Sequence, residues 1–329
     1  MRDLRLNLSL SLAIILALFA ACLLGSTSLA PQAIFAALIG QGDIGNQIII
    51  WQIRLPRACA ALVVGAALGI SGAALQGLLR NPLAEPGVLG VSSSAALGAT
   101  FALYYGLIGS FAWALPIAAI IGALISTTII AFAATRTQSV VTLILVGVGL
   151  SSFAGAIMSL LLNLAPNPFS LSDMINWTLG SVTNRSFVDI GIALPFLTIG
   201  FIILLSYRRG LSALTLGEEA ASGLGVNLRK MRIAVVLGAG LATGAAVSLA
   251  GAIGFVGIVA PHIVRPFVGY DPARSLWPSA LLGGLFLVLS DIALRLVPTQ
   301  NELKLGVVAA LIGAPAFVWI ALKRGEQNV

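Results

Sequence analysis

The feature that most constrains this chain is the recurrence of apolar runs long enough to cross a bilayer, each needing about 20 residues as helix. Such runs occupy roughly 8–29, 58–79, 88–106, 111–134, 140–165, 188–206, 233–252, 276–297 and 305–322. A tenth, at about 254–268, is shorter and is interrupted by Pro261 and Arg265, as expected of a helix shielded by protein rather than lipid. Inside a bilayer each backbone polar group needs a partner within the protein, so these runs are predicted to be helices. The fold class is all-α integral membrane, with ten transmembrane helices. Only 9% of the 329 residues are charged, which leaves no polar stretch long enough for a separate soluble domain. Residues 1–329 read as a single transmembrane domain. The first run follows Arg2 and Arg5 and is about 20 residues long, which fits a retained helix better than the short apolar core of a signal peptide.

With ten spans and an inner N-terminus, Arg54, Arg57, Arg185, Arg295 and Lys304 fall outside and the other thirteen basic residues fall inside. The positive-inside rule selects that orientation, with both termini cytoplasmic. The net charge of +7 is therefore read as topology, and no nucleic-acid partner is implied.

Two glycine-rich runs, GAALGISGAA at 65–74 and GAGLATGAA at 238–246, have the small residues that let membrane helices approach closely. Each leads towards a proline-containing break, NPLAEP at 81–86 and APHIVRP at 260–266. An odd number of spans separates the two units, so the copies would point in opposite directions. This predicts an inverted repeat of five plus five helices; chance similarity among Gly/Ala-rich helices is the alternative. The first break, within GLLRNPLAEPGVLG, reads as a helix end, a short cytoplasmic turn and a new helix start.

Catalysis or ion coupling would need acids, nucleophiles or metal ligands at membrane depth, and the spans are nearly free of charge. Asp291 is the main exception; it stands four residues before Arg295 on one helix face, and the two are expected to pair. Cys22, Cys59 and the single histidine, His262, lack the spacing of a zinc, haem or redox site, so no catalytic residue, metal or cofactor is expected in this chain. The lysines sit in RKM, LKL and LKR, outside any phosphate-binding loop, so ATP and Mg are expected on a separate ATPase subunit. A docking place for such a subunit is the cytoplasmic segment 207–232. Two short helices are predicted there within Leu211–Leu224, punctuated by Gly210, Gly217 and Gly225. On the outer side, in 165–186, Pro166 and Pro168 end a span. Ser170 or Ser172 then caps a short amphipathic helix that carries Met174, Trp177 and Leu179 and lies at the lipid interface or receives an external partner.

QIRLPR at 52–57, GAALGISGAALQGLLRNPLAEPGVLG at 65–90, LGEEAASGLGV at 216–226, GAIGFVGIVAPHIVR at 251–265 and LGVVAALIGAPAFVWIAL at 305–322 resemble the FecCD/BtuC family. Its members are permease subunits of binding-protein-dependent ABC importers for iron-siderophores, haem and cobalamin. The resemblance implies a BtuC-like homodimer in the bacterial inner membrane, two ABC ATPase subunits and a periplasmic substrate-binding protein. It places a cytoplasmic gate at Asn81, Leu83, Ser139 and Val140, where Val140 departs from the hydroxyl residue of the family's cobalamin permease. It assigns ATPase coupling to Leu211–Gly225, with Leu214, Gly217, Glu218, Glu219 and Gly225. The translocation path would use Ser151, Ser152, Ser159 and Asn163. Arg54, Arg57 and Arg295 would meet glutamates of the binding protein as a steering contact. A ferric siderophore is the first cargo it suggests, with haem and cobalamin as alternatives. Two readings of other classes remain: a stand-alone ion-coupled secondary transporter and a membrane scaffold that transports nothing.

Overall fold

The computed structural model describes residues 2–25, 27, 29–109, 113–137, 139–297 and 303–325, and the regular elements among them are all helical. In chain order they are α1 (Arg2–Leu23), α2 (Pro31–Leu38), α3 (Ile44–Ile48), α4 (Leu55–Leu79), α5 (Val91–Tyr104), α6 (Ala114–Arg136), α7 (Val140–Asn163) and α8 (Pro168–Thr178). There follow α9 (Phe187–Ser206), α10 (Arg208–Ala213), α11 (Glu218–Gly223), α12 (Leu228–Ala250), α13 (Val256–Val264), α14 (Pro272–Leu296) and α15 (Leu305–Gly325). A wider π-type turn over Ile49–Arg54 runs α3 into α4, just before Pro56, which has no N–H to give to a regular ladder.

A helix lies at each of the ten predicted positions, but among the described residues only seven helical stretches are long and apolar enough to cross a bilayer. The three shorter apolar helices cover Val91–Tyr104, Val256–Val268 and Leu305–Pro315. The apolar run at 88–106 overstated its helix because Val88, Leu89 and Gly90 belong to the irregular segment before α5.

Capping follows local chemistry. The short helix α8 is capped by Asn167, whose Oδ1 accepts from Ser170 N at 2.8 Å, with Pro168 as its first residue. Neither Ser170 nor Ser172 is the cap, because the proline already fixes the start one residue after Asn167. Ser186 and Asp189 form a reciprocal capping box at α9.

Helices α4 and α12 occupy the inside, with 78% of each apolar window buried, against 17% for α7 and 22% for α1. Membrane helices gain no aqueous hydrophobic drive from pairing, so they need close approach and dense contact. At the α4–α14 crossing this requires glycine: a Cβ on Gly65 would overlap the Gly283 carbonyl, and one on Gly69 would overlap that of Ser279.

Two of the irregular stretches between helices, at 80–90 and at 251–255, lie at or shortly before the proline-containing runs 81–86 and 260–266. Arg80 ends α4 in the left-handed region at φ 49°, and Asn81 Oδ1 then accepts from Leu83 N at 2.9 Å to fold the chain over. On the other side Phe255, at φ 68°, precedes α13. The second break therefore lies before Pro261, and Pro261 itself sits inside α13. A proline inside a helix leaves the carbonyl four residues earlier without its usual donor. That carbonyl belongs to Gly257, and Gln76 Nε2 of α4 donates to it at 3.2 Å. Gly72 makes the room, since a Cβ there would overlap the same carbonyl.

Candidate functional site

The segment 80–90 reaches further in than a surface turn. Ser151 Oγ of α7 donates to Gly87 O at 3.3 Å, and the space beside Gly90 is closed by Gly147, Leu150 and Ser151. Ser151 is eleven residues beyond Val140, where α7 begins, about 17 Å along the axis at 1.5 Å per residue. Irregular backbone at that depth has to be shielded by protein, and here α4, α7 and α13 shield it. The Glu85 carboxylate accepts from Phe255 N and lies beside Gly257, so the two irregular stretches touch. Sequence reading passed over Gln76 and Glu85. Their signal was a polar side chain on either side of a break in an otherwise apolar region.

Of the expected gate residues, Asn81 and Leu83 are half-buried in this fold-back. Ser139 is exposed and caps α7, its Oγ accepting from Thr142 N at 3.3 Å. Val140 is the first residue of α7, and its side chain lies outside the described residues.

The segment 207–232 forms two short helices as expected, though the first begins at Arg208, ahead of Leu211. Gly217, at φ 102°, separates them and Gly225, at φ 84°, follows the second. Gly210 differs from expectation: it lies within α10, where a Cβ would press on Met231 Sδ, so its smallness serves packing and not termination. Leu211, Leu214 and Ala221 are buried and anchor the pair. Leu214 therefore faces the core, while Glu219, Leu216 and Leu224 are exposed. Glu218 pairs with Arg232 of α12 at 2.5 Å. Ser212 Oγ donates to Asp271 Oδ1 at 2.9 Å, and that same oxygen accepts from Ala273 N to cap α14. Leu211 reaches the Gly77–Pro272 contact between α4 and α14. α10 is thus in contact with the start of α14 and with α4, and α11 is joined to α12 through Glu218.

At the opposite end the three arginines are held internally. Arg54 is 5% exposed; its Nη1 donates to Cys22 O at 2.6 Å and Leu23 O at 3.0 Å, and its Nη2 to Thr27 O. Arg295 Nη1 donates to Ala21 O at 3.0 Å. The two guanidiniums thereby supply donors to the otherwise partnerless carbonyls at the end of α1, where a cation also opposes the helix dipole. Asp291 is clamped between Arg57, which it meets through Nε at 2.9 Å and Nη2 at 2.9 Å, and Arg295 Nη2. The expected Asp291–Arg295 pair is present, and Arg57 completes it across α4 and α14.

Along α7, Ser152, Ser159 and Asn163 are exposed on one face, below which Val141, Leu145 and Val148 continue the same stripe. Asn163 Nδ2 donates to Ser159 O at 2.9 Å. Ser151 is turned aside towards Gly87, so only three of the four expected path residues share the outward face. Among the described residues no group of three or more His, Cys, Asp or Glu side chains converges as a metal site would require.

Comparison with known proteins bears on this arrangement. The model of the FecCD transport family matches residues 12–323. The chain is 41% identical over 304 residues to an uncharacterized ABC transporter permease protein, YvrB, of Bacillus subtilis, covering 90% of this chain and 85% of that protein. It is 38% identical over 323 residues to the vitamin B12 import system permease protein BtuC of Salmonella typhi, covering 98% and 96%. A solved structure described as an inward-facing conformation of a metal-chelate type ABC transporter superposes with a TM-score of 0.85 at 30% identity, over 98% of this chain and 99% of that one.

Proposed function

We propose a cargo and a working cycle from one premise: the chain belongs to the FecCD transport family, as a multi-pass membrane permease of an ABC importer. That family works with an ATPase and a substrate-binding protein. The cargo is a ferric siderophore or a related metal chelate, a reading supported by likeness over nearly the whole chain to a transporter described as of metal-chelate type. A second reading, cobalamin, is supported by the 38% identity to vitamin B12 permeases.

Two copies of the chain cross the bacterial inner membrane, each as a single ten-helix unit of inverted repeats with both termini cytoplasmic. They enclose a path between their α7 helices. The outward stripe of Ser152, Ser159 and Asn163 on the least buried long helix supports that placement. Each ATPase subunit receives Leu216, Glu219 and Leu224, while Glu218, Gly217 and Gly225 set the shape of the coupling helices and Leu214 anchors them. ATP binding and hydrolysis in the partners, with Mg held there, move α10 and α11. Through Ser212–Asp271 and Glu218–Arg232 the motion reaches α14, α12 and the 80–90 segment, where Asn81 and Leu83, with Ser139 and Val140 of α7, close or open the inner end of the path. The binding protein docks around Arg54, Arg57 and Arg295. No covalent chemistry takes place in this chain.

The observation that carries this reading is the anchored helix pair α10–α11 with its exposed leucines and glutamate at the inner ends of α4, α12 and α14. The test is reconstitution with the ATPase and binding protein in vesicles: chelate uptake depends on ATP and survives collapse of the ion gradients. Uptake that persists without ATP and stops with the gradients would indicate a secondary transporter. Stimulation of ATP hydrolysis by cobalamin alone, with ferric chelates inert, would establish the second reading.

A further inference from the structure

At the α8 end of the bundle a cavity of about 420 Å³ opens between α8, the 181–185 loop, the end of α12 and the start of α15. Arg185 and Lys304 bring two positive charges to its lining and Asp173 one negative. The Arg185 guanidinium lies over the Trp177 ring, its carbon 4.8 Å from the ring centroid. Stacking of this kind fixes the plane of the guanidinium and leaves its edge to present parallel donors. Trp177 is only 9% exposed, and both its Nε1 and Arg185 Nε are buried without a hydrogen-bond partner. The nearby carboxylate of Asp189 is already committed, accepting from Ser186 N at 2.8 Å and Ser186 Oγ at 2.7 Å in the cap of α9. Burial pushes the Arg185 pKa below the ordinary guanidinium value, with Asp189 partly opposing.

The cavity lining thus carries a surplus of positive charge, set among the neutral polar side chains of Asn176, Ser181, Thr183 and Asn184. A planar oxyanion that accepts from the accessible edge of a guanidinium fixed in this way gains a charge-assisted contact. The size falls within the range of small-molecule sites. We propose that this cavity binds a carboxylate-bearing metal chelate: the chelate's carboxylate lies against Arg185 and Trp177, Lys304 supplies longer-range attraction, and Asp173 limits affinity. This assignment rests on the metal-chelate reading of the cargo and gives that cargo its first contact within the permease.

The test is equilibrium binding to the assembled transporter in lipid nanodiscs without nucleotide. The probes are iron(III)–EDTA, which is anionic with outward carboxylate oxygens, and the neutral iron(III) tris(acetohydroxamate). The expected result is saturable binding of the anionic complex at least tenfold tighter than of the neutral one. Arg185→Gln should weaken it tenfold or more, and Arg185→Lys, which keeps charge but loses the fork, threefold or more. Asp173→Asn should tighten it about threefold by removing the repelling charge, a gain that misfolding does not mimic. Equal binding of the two probes, or an affinity unchanged within twofold by both Arg185→Gln and Asp173→Asn, overturns the proposal. A fall in binding-protein affinity on Arg185→Gln, with chelate binding intact, overturns it equally and assigns the pocket to a carboxylate of the docked protein. Because the measurement needs no ATP, failure of ATP-driven uptake sinks the importer reading without touching this result.

Discussion

The contact between Gln76, Gly257 and Pro261 gives a prediction whose sign is fixed by covalent structure. Pro261 has no N–H, so the Gly257 carbonyl, four residues earlier, takes its donor from Gln76 Nε2 at 3.2 Å. Replacing Gln76 by Met keeps the volume and orphans that carbonyl, at a cost of about 1–3 kcal/mol for a buried unsatisfied acceptor. The same change removes Gln76 Oε1, which is itself buried without a partner, and so relieves a term of similar size. The single variant is therefore expected to be nearly neutral and by itself decides nothing. Pro261→Ala supplies an N–H aimed at Gly257. In the wild type that N–H adds a second donor to a carbonyl already satisfied; in the Gln76→Met background it restores the missing one. The Oε1 term is common to both Gln76→Met arms and cancels in the cycle. Pro261→Ala should thus be more stabilising in the Gln76→Met background by about 1–2 kcal/mol, the usual size of coupling between contacting residues. Reversible denaturation of the four purified proteins in mixed micelles measures it. A coupling below about 0.5 kcal/mol, the scatter of independent sites, would refute the idea that Gln76 stands in for the N–H that proline lacks.

The other consequences are simpler. Asp291→Ala leaves Arg57 and Arg295 facing each other with side chains only 13% and 8% exposed, and should cost about 3–5 kcal/mol in the same assay. Replacing Arg57 and Arg295 by Met together with Asp291→Leu should recover part of that loss, the remainder being the donor that Ala21 O loses with Arg295. Leu216→Glu with Glu219→Lys should reduce co-purification of the ATPase subunit at least tenfold while the melting temperature stays unchanged, since both side chains are exposed. Gly65→Val places a branched side chain against the Gly283 carbonyl and should abolish accumulation in the membrane; Gly191→Ala, on a helical backbone with nothing within 4 Å, should not.

Periodicity and length located the apolar helices because the bilayer leaves them no alternative way to pair their backbones. The paired short helices at 207–232 were also legible, since Gly217 and Gly225 adopt positive φ values that other residues rarely take. What escaped was the meaning of proline. At Pro82 it belongs to a true departure from helix, whereas at Pro261, as at Pro195 and Pro278, the helix continues, and at Pro261 the donor that proline lacks comes from a glutamine on another helix 185 positions earlier in the chain. No local signal carries that information. The depth reached by 80–90 was hidden for the same reason: a polar, kinked run between two spans reads as surface turn unless its partners, Ser151 and Phe255, are known.

The arginines illustrate the converse difficulty. Arg54, Arg57 and Arg295 stand at span ends, where a sequence reader assigns them to water and to an acidic partner. In the structure they hold the end of α1 and clamp Asp291, so the charge available to a visitor is the net charge of the group, three positive against one negative. Steering acts through such a net field over roughly a Debye length and needs no exposed guanidinium. A glutamate that docks here meets Arg57 and Arg295 only by competing with Asp291, whose side chain is 2% exposed and already bidentate to Arg57. A contribution to association rate that falls with salt is therefore what this cluster can give without rearranging. A contribution to residence time requires Asp291 to release one of its arginines, and Asp291→Asn separates the two: weaker internal clamping frees the arginines, so dissociation of the binding protein should slow while the salt dependence of association steepens.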